Sequence, residues 1–206
     1  MAQNKITEIE GDLFSAPDGA GLIHACNCEG SWGGGIAKAF REKVWIHPIP
    51  VFELLNDSIS QYPTAYKIYH EHCKKYQSKP EYKDVPSEST TSRQVKLPEG
   101  TALFIPPQDK DTKKGSKGPK GHWIICLFTS PGYGKKVSPP DVILQNTRLA
   151  VADMKRQVDE LGADIGELWS CRFNSGLFKV EWELSRKILE EFDLKVTVVR
   201  PEGESE

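Results

Sequence analysis

The feature that most constrains this chain is the block His24-Ala25-Cys26-Asn27-Cys28-Glu29-Gly30-Ser31-Trp32-Gly33-Gly34-Gly35-Ile36-Ala37. An apolar approach, Leu22-Ile23, leads into a polar His/Asn pair. Three consecutive glycines then open onto a helix-compatible run from Ile36 to Lys43. Strand, glycine loop and helix start are the parts of a phosphate cradle. Glycine lets backbone N–H groups approach an anion, and a helix N-terminus adds a favourable dipole. The block is neither a P-loop, which needs Gly-Lys-Ser/Thr after its spacer, nor a dinucleotide-type Gly-x-Gly-x-x-Gly. The bland alternative is a tight strand-to-helix turn; the upstream histidine and asparagine favour a ligand site.

Two further polar loops follow apolar runs. Thr129-Ser130-Pro131-Gly132-Tyr133-Gly134 comes after Trp123–Phe128, and Asn174-Ser175-Gly176-Leu177-Phe178 comes after Glu167–Cys171. Near the N-terminus, Gly11-Asp12-Leu13 closes the first strand candidate; taken alone it reads either as an ordinary turn, the commoner case, or as a carboxylate that accepts from an exocyclic purine amine. Three such loops after three strands are hard to explain as turn chemistry alone.

Six strands are expected, at Lys5–Ile9, Gly21–Ala25, Thr101–Ile105, Trp123–Thr129, Glu167–Cys171 and Lys195–Val199. The fourth is apolar throughout, as a central strand covered on both faces would be. Helices are expected from Tyr62-Pro63, where Ala65, Tyr69, Cys73 and Tyr76 share a face, from Pro139-Pro140-Asp141 to Leu161, and from Val180 to Phe192. Strands alternating with helices imply an α/β layered domain with a mixed or largely parallel sheet, whose ligands bind at the carboxyl ends of the strands. Ser78–Pro98 and the lysine-rich Gln108–Gly121 read as surface loops. The second is either an electrostatic lure or an ordinary solvated loop.

At 206 residues the chain suits a single domain with a real core. A net charge of −2 argues against bulk nucleic acid as the main partner. No apolar run approaches the roughly 20 residues that span a bilayer, so no membrane partner is expected. The polar N-terminus lacks a signal-peptide core, which points to the cytoplasm or nucleus. The five cysteines are then reduced thiols. Cys26-x-Cys28 is too close for the usual zinc pair and has no second pair, so neither a metal nor a cofactor is expected.

Taken in order, Gly11-Asp12-Leu13, the His-x-x-Asn…Gly-Gly-Gly-Ile-Ala block, Asn174–Phe178 and the closing strand resemble the macro domain family, over nearly the whole chain. Within it, the His24–Ala37 block is most similar to the fungal ADP-ribose 1''-phosphate phosphatases. The resemblance implies a three-layer α/β/α macro domain over residues 1–206, with a mixed, roughly six-stranded sheet and a cleft for small-molecule ADP-ribose derivatives. It implies a phosphoric monoester hydrolase acting as a monomer on a by-product of tRNA splicing.

Carried onto this chain, the resemblance puts Gly11, Asp12 and Leu13 around the adenine and Asn27 at the distal ribose. Gly33, Gly34, Gly35 and Ile36, facing Asn174, Ser175, Gly176, Leu177 and Phe178, would clasp the diphosphate and terminal ribose. Thr129 joins the binding set. His24 and Asn27 are the expected catalytic pair. Strict strand alternation places those two on opposite faces unless the chain turns at Ala25–Asn27; otherwise His24 is a core residue.

Two departures bear on function. The family's ADP-ribose–glutamate hydrolases use an Asp where this chain has Phe178, although Lys38 lies nearby. Val44–Gln61, with Pro48 and Pro50, interrupts what would otherwise run almost directly from Phe40-Arg41-Glu42-Lys43 into Tyr62-Pro63. It reads as a surface insertion, a partner contact or translated intron. An ADP-ribosyl hydrolase acting on modified macromolecules and a non-catalytic ADP-ribose binder remain open beside the phosphatase.

Overall fold

The computed structural model describes residues 5–41, 62–86, 92–111 and 121–201. Five strands lie parallel: β1 (Ile6–Glu10), β2 (Gly21–Asn27), β6 (Trp123–Ser130), β7 (Leu168–Cys171) and β8 (Val196–Arg200). With the antiparallel β5 (Ala102–Ile105) they form one mixed sheet in the order β1-β8-β7-β2-β6-β5. Each expected strand is present within two residues of its expected ends. The Val/Ile-rich central segments are what a sheet covered on both faces requires.

Helices α1 (Gly35–Arg41) and α2 (Pro63–Ser78) cover one face of the sheet, and α3 (Pro140–Leu161) and α4 (Trp182–Glu190) the other. Pro63 and Pro140 each begin a helix, where the missing N–H costs nothing. Gly162, at φ 54°, ends α3. The side chains of β2 alternate: Ile23 joins the core under α3 and α4, while Leu22 and Cys26 join the one under α1 and α2. The fold is thus three layers, α/β/α.

Ser78–Pro98 departs from the expected loop. Within it β3 (Tyr82–Val85) and β4 (Arg93–Lys96) pair antiparallel, their inward Val85 and Val95 buried. Two short strands amid Ser, Thr and charge leave almost no apolar alternation to read in sequence. The Val44–Gln61 insertion and most of the Gln108–Gly121 loop lie outside the described residues. The described residues on either side of the former meet, because the Tyr62 N–H donates to the Phe40 carbonyl at 3.1 Å.

The far edge of the sheet is tied to α4 and to the chain after β7 by one carboxylate. Glu8 accepts from Arg172 (3.0 and 3.2 Å), Trp182 (2.8 Å) and Arg186 (3.2 Å). Burial alone would raise its pKa, but the hydrogen bonds from Trp182 and Arg172 and the charges of Arg172 and Arg186 outweigh it and hold the carboxyl below its usual range.

Two outcomes follow. A folded-state pKa below the unfolded one contributes stability above the unfolded value, about 4.3, that is lost as pH falls through the folded value. Glu8→Gln is therefore expected to be less stable than the parent at pH 7, with the difference shrinking below about pH 4. Urea unfolding at both pH values checks this, and a pH-independent difference contradicts it. Because residues 40 and 62 touch, excising 43–60 with a short linker is expected to preserve cooperative thermal unfolding. Loss of the transition shows the segment to be part of the core.

Candidate functional site

The loops after β1, β2, β6 and β7 all emerge at the carboxyl ends of parallel strands, so the sequence-picked motifs share one edge of the sheet. At the β1 end, exposed Asp12 caps the 3-10 turn Leu13–Ser15: its Oδ1 accepts from the Phe14 N–H at 3.0 Å, and its carbonyl accepts from Ser15 Oγ at 2.7 Å. Gly11 is anchored by its N–H to the Arg200 carbonyl (2.9 Å), and Leu13 packs inward.

The loop after β2 is organised by Asn27. Its Oδ1 accepts from the N–H groups of Glu29 (3.0 Å) and Ser31 (3.3 Å) and from the Tyr69 hydroxyl (3.2 Å), while Nδ2 donates to the Ser31 carbonyl at 2.7 Å. The tension between His24 and Asn27 is resolved by a register shift. His24 pairs with Cys126 and Cys26 with Phe128, but Asn27 pairs with Ser130, skipping Thr129. The irregularity turns Asn27 toward α2, the face that His24 also occupies.

Sharing a face does not bring His24 to the cleft. Its exposure is 0%. The ring stacks on Phe40 (centroids 4.4 Å apart) and meets the edge of Trp32 at 5.1 Å. Trp32 in turn stacks on Tyr69 at 5.1 Å. His24 therefore packs in the core, enclosed by Phe40 and Trp32.

Gly33, Gly34 and Gly35 follow Trp32 directly in the chain. Gly35 has φ 57°, a conformation that favours glycine, and leads into Ile36 on α1. From the opposite side, Leu177, 62% exposed, lies across the glycines: a Cβ on Gly34 would stand 2.8 Å from its Cδ1. The two loops thus converge as expected. Gly176 is exposed and Phe178 half-buried. Ser175 Oγ donates to the Arg172 carbonyl at 2.5 Å.

Two other expected binding residues are buried and hydrogen-bonded within the protein. Asn174, at φ 67° and 4% exposed, accepts from Thr129 Oγ1 (2.8 Å) and donates to Thr147 Oγ1 (2.9 Å) and Ser185 Oγ (3.1 Å). Thr129 is fully buried, and its hydroxyl is engaged in that bond. Through these bonds both side chains tie the second loop to the segments packed beside it. Sequence reasoning missed the partners of Asn174 on α3 and α4, which stand 27 and 11 residues away with no local signal. It also missed the stacking of Trp32 on Tyr69, although Tyr69 shares a helix face with Ala65, Cys73 and Tyr76.

His24, Cys26 and Cys126 bring one nitrogen and two sulfurs within 4.8 Å of one another, a set of soft donors suited to zinc or copper. Burial pushes the Cys26 and Cys28 thiols well above the ordinary value and Cys73 up to about 12. All three are therefore neutral at pH 7, and ligation by Cys26 would first require removing its proton. If His24 is a packing residue, His24→Ala should cost about 2–4 kcal/mol in urea unfolding. A cost below about 1 kcal/mol would contradict that role.

No protein-family model matches the chain. Among solved structures, the macrodomain of Mycobacterium tuberculosis DarG superposes with TM-score 0.60 at 19% identity, over 95% of this chain and 97% of that one. Thermosipho africanus DarTG in complex with ADP-ribose gives 0.62 at 17% identity, over 99% of this chain and 43% of that one. These likenesses establish the fold. Among curated proteins, the ADP-ribose 1''-phosphate phosphatase of Aspergillus oryzae is 58% identical over 216 residues, covering 99% of this chain and 97% of its own. That of Chaetomium globosum is 41% identical, covering 94% and 86%. With near-complete coverage at such identity, and with the three-layer fold and convergent loops in place, the chain belongs to the ADP-ribose 1''-phosphate phosphatase family of macrodomain proteins.

Proposed function

We infer that this chain hydrolyses ADP-ribose 1''-phosphate with water to ADP-ribose and inorganic phosphate. The observation that carries this is 58% identity across 99% of the chain with a protein of that name. The site is compatible with it: Asp12, the 33–36 and 175–178 loops and Asn27 follow one another along the strand ends, as an extended dinucleotide-like ligand requires.

In this reading Asp12 accepts from the adenine amine, and the backbone of Gly33–Ile36 and Ser175–Phe178 surrounds the diphosphate. Phe178 packs on the terminal sugar. Asn27 contacts the distal ribose through its remaining amide hydrogen, because its carbonyl oxygen already serves three donors. Phosphoryl transfer depends mostly on positioning and on donors aimed at the transferring group, so it does not require His24 in contact with substrate. A tRNA-splicing by-product as substrate, a monomeric state and a cytoplasmic or nuclear location belong to the same proposal. Among the described residues no helix is long and apolar enough to cross a membrane.

A non-catalytic ADP-ribose binder is the second reading, and one observation favours it: the imidazole that first argued for catalysis is buried. The ADP-ribosyl hydrolase route through an acidic residue after the second Gly-Leu lacks its group, because Phe178 stands there.

Phosphate release from ADP-ribose 1''-phosphate, run beside ADP-ribosylated protein, separates the readings. Release from the first substrate alone is expected, reduced at least about tenfold in Asn27→Ala, typical of losing one positioned donor. The packing-conservative His24→Phe should retain it within a few-fold. ADP-ribose binding with no turnover of either substrate leaves the binder.

A further inference from the structure

A cavity of about 490 Å³ opens beside the first glycine loop, bounded by Cys28, Glu29, Tyr76, Gln77, Lys96 and Pro131, among others. Its volume lies in the range of small-ligand sites. Its place in the fold is specific. Counting along the sheet from β1, which ends beside Asp12, three strand intervals, about 14 Å in all, lead to β2 and Asn27. The next strand is β6, which leads into Pro131, followed by β5. A ligand laid along the strand ends from Asp12 to Asn27 therefore has its far end at this cavity. Two bonds join the walls there: the Cys28 N–H is shared between the carbonyls of Ser130 (3.2 Å) and Pro131 (3.3 Å).

The charges around the cavity suit an anion. Both wall carboxylates already have partners. Glu99 accepts from Asn146 Nδ2 at 2.8 Å and pairs with Arg93 at 3.8 Å. Glu29 pairs with Lys136 Nζ at 3.2 Å, and that lysine is 76% exposed. An ion pair so open to water contributes little and is exchanged at little cost. Lys96 also lines the cavity. One lysine on the lining and one held at it through Glu29 thus stand at the cavity toward which the group attached beyond the terminal ribose would project.

Resting on the function proposed above, we propose that this cavity receives the phosphate monoester end of the substrate, and that Lys136 and Lys96 are the ammonium groups that hold it. Lys136 exchanges Glu29 for the incoming phosphate. The cavity then separates the ester from ADP-ribose itself, which carries no charge at that end, and lets the product leave without either ionic contact.

The test is displacement of fluorescein-labelled ADP-ribose by ADP-ribose and by ADP-ribose 1''-phosphate, read in the first second after mixing so that the ester is intact. Phosphate release is assayed in parallel. The wild type is expected to prefer the ester. Lys136→Ala and Lys96→Ala should each reduce that preference by roughly five- to tenfold, and the double variant should abolish it, as expected for losing charge contacts to an anion. Affinity for ADP-ribose should change less than about twofold, and Lys136→Arg should keep most of the preference. Equal preference in the wild type and the double variant overturns the proposal, as does equal weakening of both ligands. Preference for the ester without phosphate release overturns the proposed function alone. A wild type that binds neither ligand overturns both.

Discussion

The hydroxyl of Tyr69 is buried inside the layer beneath α2 and donates to the Asn27 carbonyl at 2.7 Å, with a longer contact of 3.2 Å to the Asn27 side-chain oxygen. Much of the candidate site depends on this interaction. It captures the end of β2 just where the register against β6 shifts, and so fixes the direction in which the glycine loop leaves the sheet. A buried hydroxyl left without its acceptor would cost about 1–3 kcal/mol, so the arrangement resists slipping. Trp32, stacked on the Tyr69 ring, immediately precedes the three glycines and ties the start of their run to α2.

The two sides of the cleft are held by different means. The first loop is stabilised locally: one asparagine side chain bonds to residues two and four positions further along the chain. The second loop is stabilised from afar. Asn174 is held by Thr129, Thr147 and Ser185, and Glu8 holds Arg172 and Trp182, one at each end of the loop. Between them Leu177, largely exposed, lies against Gly34 and Gly35, where a ligand can displace it without disturbing either anchor. Rigid supports beneath a mobile apolar contact are a sound arrangement for admitting a long polar ligand.

The β-branched strands, the Pro-initiated helices and the polar-glycine loops were legible because each is a local pattern with a local cause. Gly11-Asp12, the three glycines and the 174–178 loop do share one edge of the sheet. Residue types at the site were legible, but their roles were not. His24, Asn174 and Thr129 are all polar residues near glycine loops, and each turned out to face inward. The hairpin of β3 and β4 escaped notice because its four-residue strands carry a single buried valine apiece.

By itself the sequence determined the layered α/β architecture, the order of its elements and the family to which the chain belongs. Those follow from periodicity, turn chemistry and a long specific block, all written in neighbouring residues. Only the tertiary structure decided which polar groups meet a ligand and which hold the loops. That depends on a one-residue register shift between β2 and β6, and on whether Phe40 and Trp32 close over an imidazole. Both are set by packing between segments far apart in the chain, where strand alternation alone would have sent Asn27 to the other face.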